Sequence, residues 1–195
     1  GEGGDGGPNA GWTSDDFMTD GRWQQQACAR CPSTVEFLRS LPLCCDCCLA
    51  RAYFSTLKAG ATIAPHHGRS NVKLRMQLPL LMGSDGYCAM TVGGESRRYS
   101  AGKLLLFDDS FLHSVVSHSG TDRIVLLCDL WHPQLSPAHI ARICRALPPP
   151  SRDKGFAAAP EMVAGGAERY FCMKCQGFFV GAECPRAHPI FRYVR

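Results

Sequence analysis

An all-β fold of two packed sheets is what this 195-residue chain predicts. Three observations carry that expectation. Short runs rich in β-branched and aromatic residues recur between Gly, Pro, Asn, Asp and Ser clusters at roughly 8–12-residue intervals. Residues 72–78 alternate strictly, with Val72, Leu74, Met76 and Leu78 on one face and Lys73, Arg75 and Gln77 on the other. Ile124 to Asp129 is a nearly continuous apolar run, as expected of a central strand. Within this class, the double-stranded β-helix (jelly roll or cupin-like) is the member that holds a metal in its mouth.

The elements follow in order. Residues 1–20 are rich in Gly and Asp and are expected to form a disordered tail. Pro32-Ser33-Thr34 followed by Val35, Phe37, Leu38 and Leu41 reads as a short capped helix. Leu43 to Cys48 reads as a cysteine-rich loop. Strands are expected at 52–57, 72–78, 88–92, 97–99, 103–107 and 124–129, with Gly93-Gly94 as a turn. Pro137 to Ala146 reads as a closing helix stopped by Pro148-Pro149-Pro150. The short helices flank a principal domain over 21–148. A Pro-, Ala- and Gly-rich linker over 149–168 follows, then a small Cys/His module over 169–195.

Composition narrows the function. The hydrophobic fraction of 45% fits a globular domain, and the net charge of +4 is spread without a basic stripe, so nucleic acid is not an expected partner. No apolar run approaches the ~20 residues of a membrane span. The opening GEGGDGGPNAG lacks the basic start and apolar core of a signal peptide. The first residue is not Met, so a fragment or processed form is expected and localisation stays open.

Twelve cysteines are clustered in a way that suits metal or a reducing compartment better than a disulfide scaffold. Cys172-x2-Cys175-x8-Cys184-x3-His188 has the ligand types of a Cys3His zinc site, and metal would supply folding energy to a segment too short for its own core. Cys28-x2-Cys31 with the Cys44, Cys45, Cys47 and Cys48 group is open to a second zinc site or a disulfide. Cys88, Cys128 and Cys144 read as packing residues.

The central constellation is His66 in Ala64-Pro65-His66-His67-Gly68, His113 at the end of Phe107-Asp108-Asp109-Ser110-Phe111-Leu112-His113, and Arg123 beyond. Each histidine is expected just after a strand. Two imidazoles suit Fe(II), and a late guanidinium suits the far carboxylate of 2-oxoglutarate. The usual third ligand, a carboxylate two residues after the first histidine, is here Gly68. Either water fills that slot, or a carboxylate comes from elsewhere, or no iron binds.

These segments resemble one known family. Phe54-Ser55-Thr56-Leu57 with Gly60, then Pro65-His66, Gly68 and Asn71 to Arg75, are similar to the aspartyl/asparaginyl β-hydroxylases. So are Gly102 to His113, and Arg123 running into Asp129-Leu130-Trp131-His132-Pro133. Cys28-Ala29-Arg30-Cys31-Pro32-Ser33-Thr34 is similar to the family's entry segment, and the match covers roughly 20–148 in order. The resemblance implies a 2-oxoglutarate- and Fe(II)-dependent dioxygenase that hydroxylates a carbon of a peptidyl Asp or Asn side chain. It implies His66 and His113 as iron ligands, and Arg123 with Ser55 on the distal carboxylate of the cosubstrate. Arg75 would meet a carboxylate of cosubstrate or substrate, and Lys73 the acidic group of the substrate. The family holds iron with two histidines and no carboxylate, in keeping with Gly68. One departure is Gln77, where the family usually places a further histidine that helps hold the cosubstrate.

Asp108 and Asp109 are candidates either to orient His113 or an iron-bound water, or simply to cap a turn. His67, His118, His132 and His139 read as bystanders, and Trp131 as core. Two other functions are open: hydroxylation of a lipid acyl chain, as in lipid A hydroxylases of the same broad family, and a catalytically silent jelly-roll binding module with a zinc-binding interaction tail.

Overall fold

The computed structural model describes residues 9–150 and the strands at 169–172, 177–179 and 191–194. In chain order the elements are β1 (Trp12–Thr19), β2 (Arg22–Trp23), α1 (Gln25–Arg30), α2 (Pro32–Arg39), β3 (Ala52–Leu57), β4 (Thr62–His66) and β5 (Lys73–Leu81). They continue as β6 (Cys88–Val92), β7 (Glu95–Arg98), β8 (Leu105–Phe107), β9 (His113–Ser117), β10 (Arg123–Trp131), α3 (Pro137–Ala146), β11 (Arg169–Cys172), β12 (Gly177–Phe179) and β13 (Phe191–Val194).

The strands form two sheets, ordered β12-β11-β13-β8-β5-β10-β3-β1-β2 and β4-β9-β6-β7. The expected jelly roll is the architecture observed. One apolar cluster lies between the sheets and joins Leu57, Val125 and Phe107 of the large sheet to Met90, Val92 and Val115 of the small one. A second cluster covers the other face of the large sheet, where Val35 and Leu38 of α2 meet Leu74, Met76, Leu126, Cys128 and Leu130. The alternation of β5 therefore separates two interiors. Leu74 and Met76 enter the outer core, while Lys73, Arg75 and Gln77 turn toward the cavity side.

Several expectations are corrected. The disordered tail fails over its second half, because Trp12–Thr19 pairs with β3 from Trp12↔Leu57 onward and buries Phe17 and Met18 at 2% and 1% exposure. Asp20-Gly21, with φ of 47° and 75°, is the two-residue turn that joins β1 to β2. Gly21 also packs on the next loop, where a Cβ would lie 2.5 Å from the Cys47 carbonyl oxygen. The histidines lie within strands rather than after them: His66 closes β4 and His113 opens β9.

The cysteine-rich loop is a packing element. Cys44 and Cys47 are fully buried, and the Cys44 amide donates to the Asp129 carbonyl at 2.9 Å. Cys28, Cys31 and the Cys44–Cys48 group are free thiols, so the disulfide alternative fails, and no metal cluster of three or more His, Cys, Asp or Glu occurs among the described residues. Cys88 and Cys128 are buried as expected, whereas Cys144 is half-buried against the Cys45 carbonyl.

At the C-terminal end, β11 pairs with β12 and β13, and β13 runs parallel to β8 with Tyr193 opposite Leu106, so these strands extend the large sheet. The side chains of the expected zinc ligands Cys172, Cys175, Cys184 and His188 lie outside the described residues, as does the linker beyond residue 150. Among the described residues no helix is long and apolar enough to cross a membrane.

Candidate active site

β4 and β9 are antiparallel neighbours, and their register sets His66 opposite His113. The two rings lie 4.1 Å apart between centroids. His66 Nδ1 meets the Ala64 carbonyl at 2.8 Å, and His113 Nδ1 meets the Phe111 carbonyl at 2.8 Å. A carbonyl only accepts, so each Nδ1 carries the proton and each Nε2 keeps its lone pair. This is the tautomer a metal-binding imidazole needs, fixed by backbone contacts outside the ligand atoms. Burial, with help from the nearby His66, pushes the His113 pKa down to about 4, so this ring is neutral at pH 7.

Behind the histidines lies a small chamber of about 90 Å³. Ser55, Arg75, Gln77 and Arg123 line it together with both histidines. Arg123 is 2% exposed, yet only its Nη2 is engaged, donating to Ser55 Oγ at 3.1 Å. Its Nε and Nη1 are buried without an acceptor. Buried donors of this kind are rare and costly, and each can serve an anionic oxygen. Ser55 Oγ also accepts from Trp12 Nε1 at 2.9 Å. Both of its lone pairs are thus used, and its proton is left to donate. Six expected site residues, His66, His113, Arg123, Ser55, Arg75 and Gln77, surround one cavity.

Lys73 belongs to a buried ion-pair group. It is 3% exposed, and its Nζ is held by Asp109 Oδ2 at 2.8 Å and Asp129 Oδ1 at 3.0 Å. Arg75 completes the group, with Nε 2.9 Å and Nη2 3.1 Å from the Asp129 carboxylate and Nη1 3.2 Å from Asp109 Oδ2. Two cations and two carboxylates therefore neutralise one another inside the fold, and Lys73, which also borders the outer cavity, spends two of its three N–H donors on them. Asp109 is the informative member. Burial alone would raise its pKa, but Arg75 and Lys73 hold it at about 2. Its Oδ1 is buried and unpartnered, and a Cβ on Gly68 would lie 2.5 Å from that atom. The Asp109 carboxylate fills the space where a side chain at residue 68 would begin. Asp108 behaves as a turn residue, accepting from the Ser110 amide at 2.9 Å.

An outer cavity of about 370 Å³ opens on the other side of His66 and Arg75. Arg51, Arg69 and His67 line its mouth with Asp20, Cys48 and Leu49. His67 thus belongs to the cavity wall, whereas His139 caps α3 and His118 lies tilted against Tyr87 with ring centroids 4.8 Å apart. Trp131 packs on the outer core. Sequence reasoning missed Trp12, Tyr99, Asp129 and Arg51. For Trp12 the aromatic and β-forming run after Gly11 was the available signal; the others depend on tertiary pairing.

Two free imidazole nitrogens opening on an arginine-floored chamber in a jelly roll define a site compatible with a metal-dependent oxygenase. The chain belongs to the aspartyl/asparaginyl β-hydroxylase family, whose model matches residues 2–133. It is 35% identical over 135 residues to aspartate beta-hydroxylase domain-containing protein 2 of Mus musculus, covering 67% of this chain and 39% of that one. It is 32% identical over 126 residues to the aspartyl/asparaginyl beta-hydroxylase of Homo sapiens, covering 65% of this chain and 16% of that protein. The chain therefore spans well under half the length of these relatives. Among solved structures, a cupin domain of an XRE family transcriptional regulator from Enterobacter cloacae aligns over 63% of this chain and 98% of its own, with a TM-score of 0.41 and 11% identity. The fold assignment rests on the strand order above.

Proposed function

We propose that this chain is a 2-oxoglutarate- and Fe(II)-dependent dioxygenase that hydroxylates a carbon of a peptidyl Asp- or Asn-type side chain. The observation that carries the reading is the shared chamber. His66 and His113 border it with free Nε2 atoms, and Arg123 faces it with two unpartnered donors. His66 and His113 would hold Fe(II) through Nε2. Bound there, Fe(II) would supply the oxygen activation that converts O2, 2-oxoglutarate and a substrate C–H into CO2, succinate and a C–OH.

The chain's own residues account for placement. Arg123 and the free Ser55 proton bind the distal carboxylate of the cosubstrate. Arg75 and Gln77 border the same chamber, and Arg75, shared with the outer cavity, carries its charge paired with Asp109 and Asp129. Asp109, fully ionised, balances that charge and leaves Oδ1 free to accept a hydrogen bond at the Gly68 gap. The outer cavity carries Arg51, Arg69, Lys73 and Arg75 against Asp20 and Asp109, with Leu49 as its largest apolar residue. That lining favours an acidic or amide side chain over an acyl chain.

The test is succinate release from 2-oxoglutarate with Fe(II), alongside anaerobic metal binding. Turnover that disappears with metal affinity in the His66→Ala/His113→Ala variant supports the enzyme. A folded wild-type protein that binds neither metal nor 2-oxoglutarate is instead a silent binding module. A product screen offering an Asp-bearing peptide and an acylated lipid separates the two substrate classes.

A further inference from the structure

Gln77 stands where the family usually has a histidine, and its neighbour explains how an amide works there. Tyr99 Oη donates to Gln77 Oε1 at 2.7 Å, with each residue 6% exposed. Tyr99 follows β7 and is fastened by its own amide, which donates to the Cys88 carbonyl at 2.9 Å. The Arg123 guanidinium lies 4.9 Å from its ring centroid. Burial keeps the phenol protonated. The guanidinium sits over the ring face, and the hydroxyl donates to Gln77, which selects the carbonyl end of the amide. The end left for the chamber is the NH2 group.

We propose that Tyr99 is a positioning residue for the cosubstrate: by holding Gln77 Oε1 it presents Gln77 Nε2 to a carboxylate of 2-oxoglutarate. This rests on the reading of the chamber given above. Without the hydroxyl, the amide has no reason to prefer one face, since a flipped Gln77 would turn a carbonyl oxygen toward the anion and repel it. An imidazole N–H is thereby replaced by an amide N–H of fixed direction, and the charge of the chamber is left to Arg123.

The test measures 2-oxoglutarate binding by anaerobic calorimetry on the Fe(II)-loaded full chain, and KM and kcat from succinate release. Tyr99→Phe is expected to weaken 2-oxoglutarate about five- to tenfold, somewhat less than the worth of one charge-assisted hydrogen bond, with the loss in KM rather than kcat. Gln77→Ala is expected to lose a similar factor. The Tyr99→Phe/Gln77→Ala double variant is expected to be no weaker than Gln77→Ala alone, because Tyr99 acts only through Gln77. Losses that multiply, or a silent Tyr99→Phe, overturn the inference. Gln77→Glu keeps an acceptor for Tyr99 but offers the chamber an anionic oxygen, and should weaken binding at least about 50-fold. If Tyr99→Phe does not fold, Gln77→Glu decides, and a small effect there overturns the proposal. A wild-type protein that binds no 2-oxoglutarate removes the functional reading and this inference together. Binding by wild type with an indifferent Tyr99→Phe removes the inference alone.

Discussion

His66 and His113 are direct register partners across β4 and β9, with ring centroids 4.1 Å apart. Residues opposite each other in an antiparallel pair point to the same face. One backbone register therefore does the work of bringing together two side chains that are distant in sequence. The carbonyls of Ala64 and Phe111 then set both tautomers. The site is preorganised by main chain, which single side-chain changes do not readily disturb.

His113 is the more deeply buried of the two, at 4% exposure. His113→Ala should lower Fe(II) affinity more than about 100-fold, exceeding what loss of an outer partner costs a metal site. Anaerobic titration against a chelator reads this directly, and an unchanged affinity would place the metal elsewhere.

Arg123 separates cosubstrate binding from metal binding. Arg123→Lys keeps the charge but loses the several planar donors of the guanidinium, which serve Ser55 and the chamber at once. The KM for 2-oxoglutarate should rise roughly tenfold or more, while Fe(II) affinity changes little. Equal losses in both would contradict the anchor role.

Gly68 leaves room that Asp109 already fills. Gly68→Asp sets a Cβ 2.5 Å from Asp109 Oδ1 and a second anion beside the first. The expected result is destabilisation of about 1–3 kcal/mol by overpacking, with no gain in Fe(II) affinity. Urea denaturation and metal titration check the two halves separately. Tighter metal binding by Gly68→Asp would show that the gap is a vacant ligand position.

Lys73 shows where the limit of sequence reading falls. Alternation in 72–78 correctly separated Lys73, Arg75 and Gln77 from the apolar face. Alternation cannot say whether a polar face meets solvent or a closed interior, and here it meets Asp109 and Asp129. β3 is found where expected at 52–57, and α3 at 137–146, because each carries a strong local pattern with clear ends. β4 was hidden by Pro65, which reads as a strand breaker. The sheet order puts β4 at an edge, where a missing amide is tolerated. β1 was hidden by averaging it with the Gly-rich residues before it. The motif histidines and Arg123 were legible from their neighbours, whereas Asp129 and Tyr99 gain their roles only from partners distant in sequence.

Removing Lys73 should therefore act on stability. Lys73→Met leaves Asp109 and Asp129 with Arg75 alone among their present cations, and breaking a buried charge group costs about 3–5 kcal/mol. A lowered thermal midpoint, with substrate KM unchanged at a temperature where the variant is folded, is the expected pattern. A raised substrate KM without loss of stability would restore a direct contact.

Asp109 should make the fold acid-sensitive in a defined window. Its folded pKa of about 2 lies below the ~3.9 of an unfolded aspartate. A depressed carboxyl pKa means that the unfolded chain binds the proton first as pH falls. The stabilisation is thus complete above about pH 4 and is lost as pH drops through about 2. Its size is on the order of 2 kcal/mol, since a tenfold change in proton affinity is worth about 1.4 kcal/mol. Asp109→Asn removes the titrating group, so its stability should start lower at neutral pH and decline less steeply between about pH 4 and 2 than that of wild type. Urea midpoints measured across that range check the slope. Parallel curves for the two proteins would mean that the Asp109 carboxylate is not held ionised by Arg75 and Lys73.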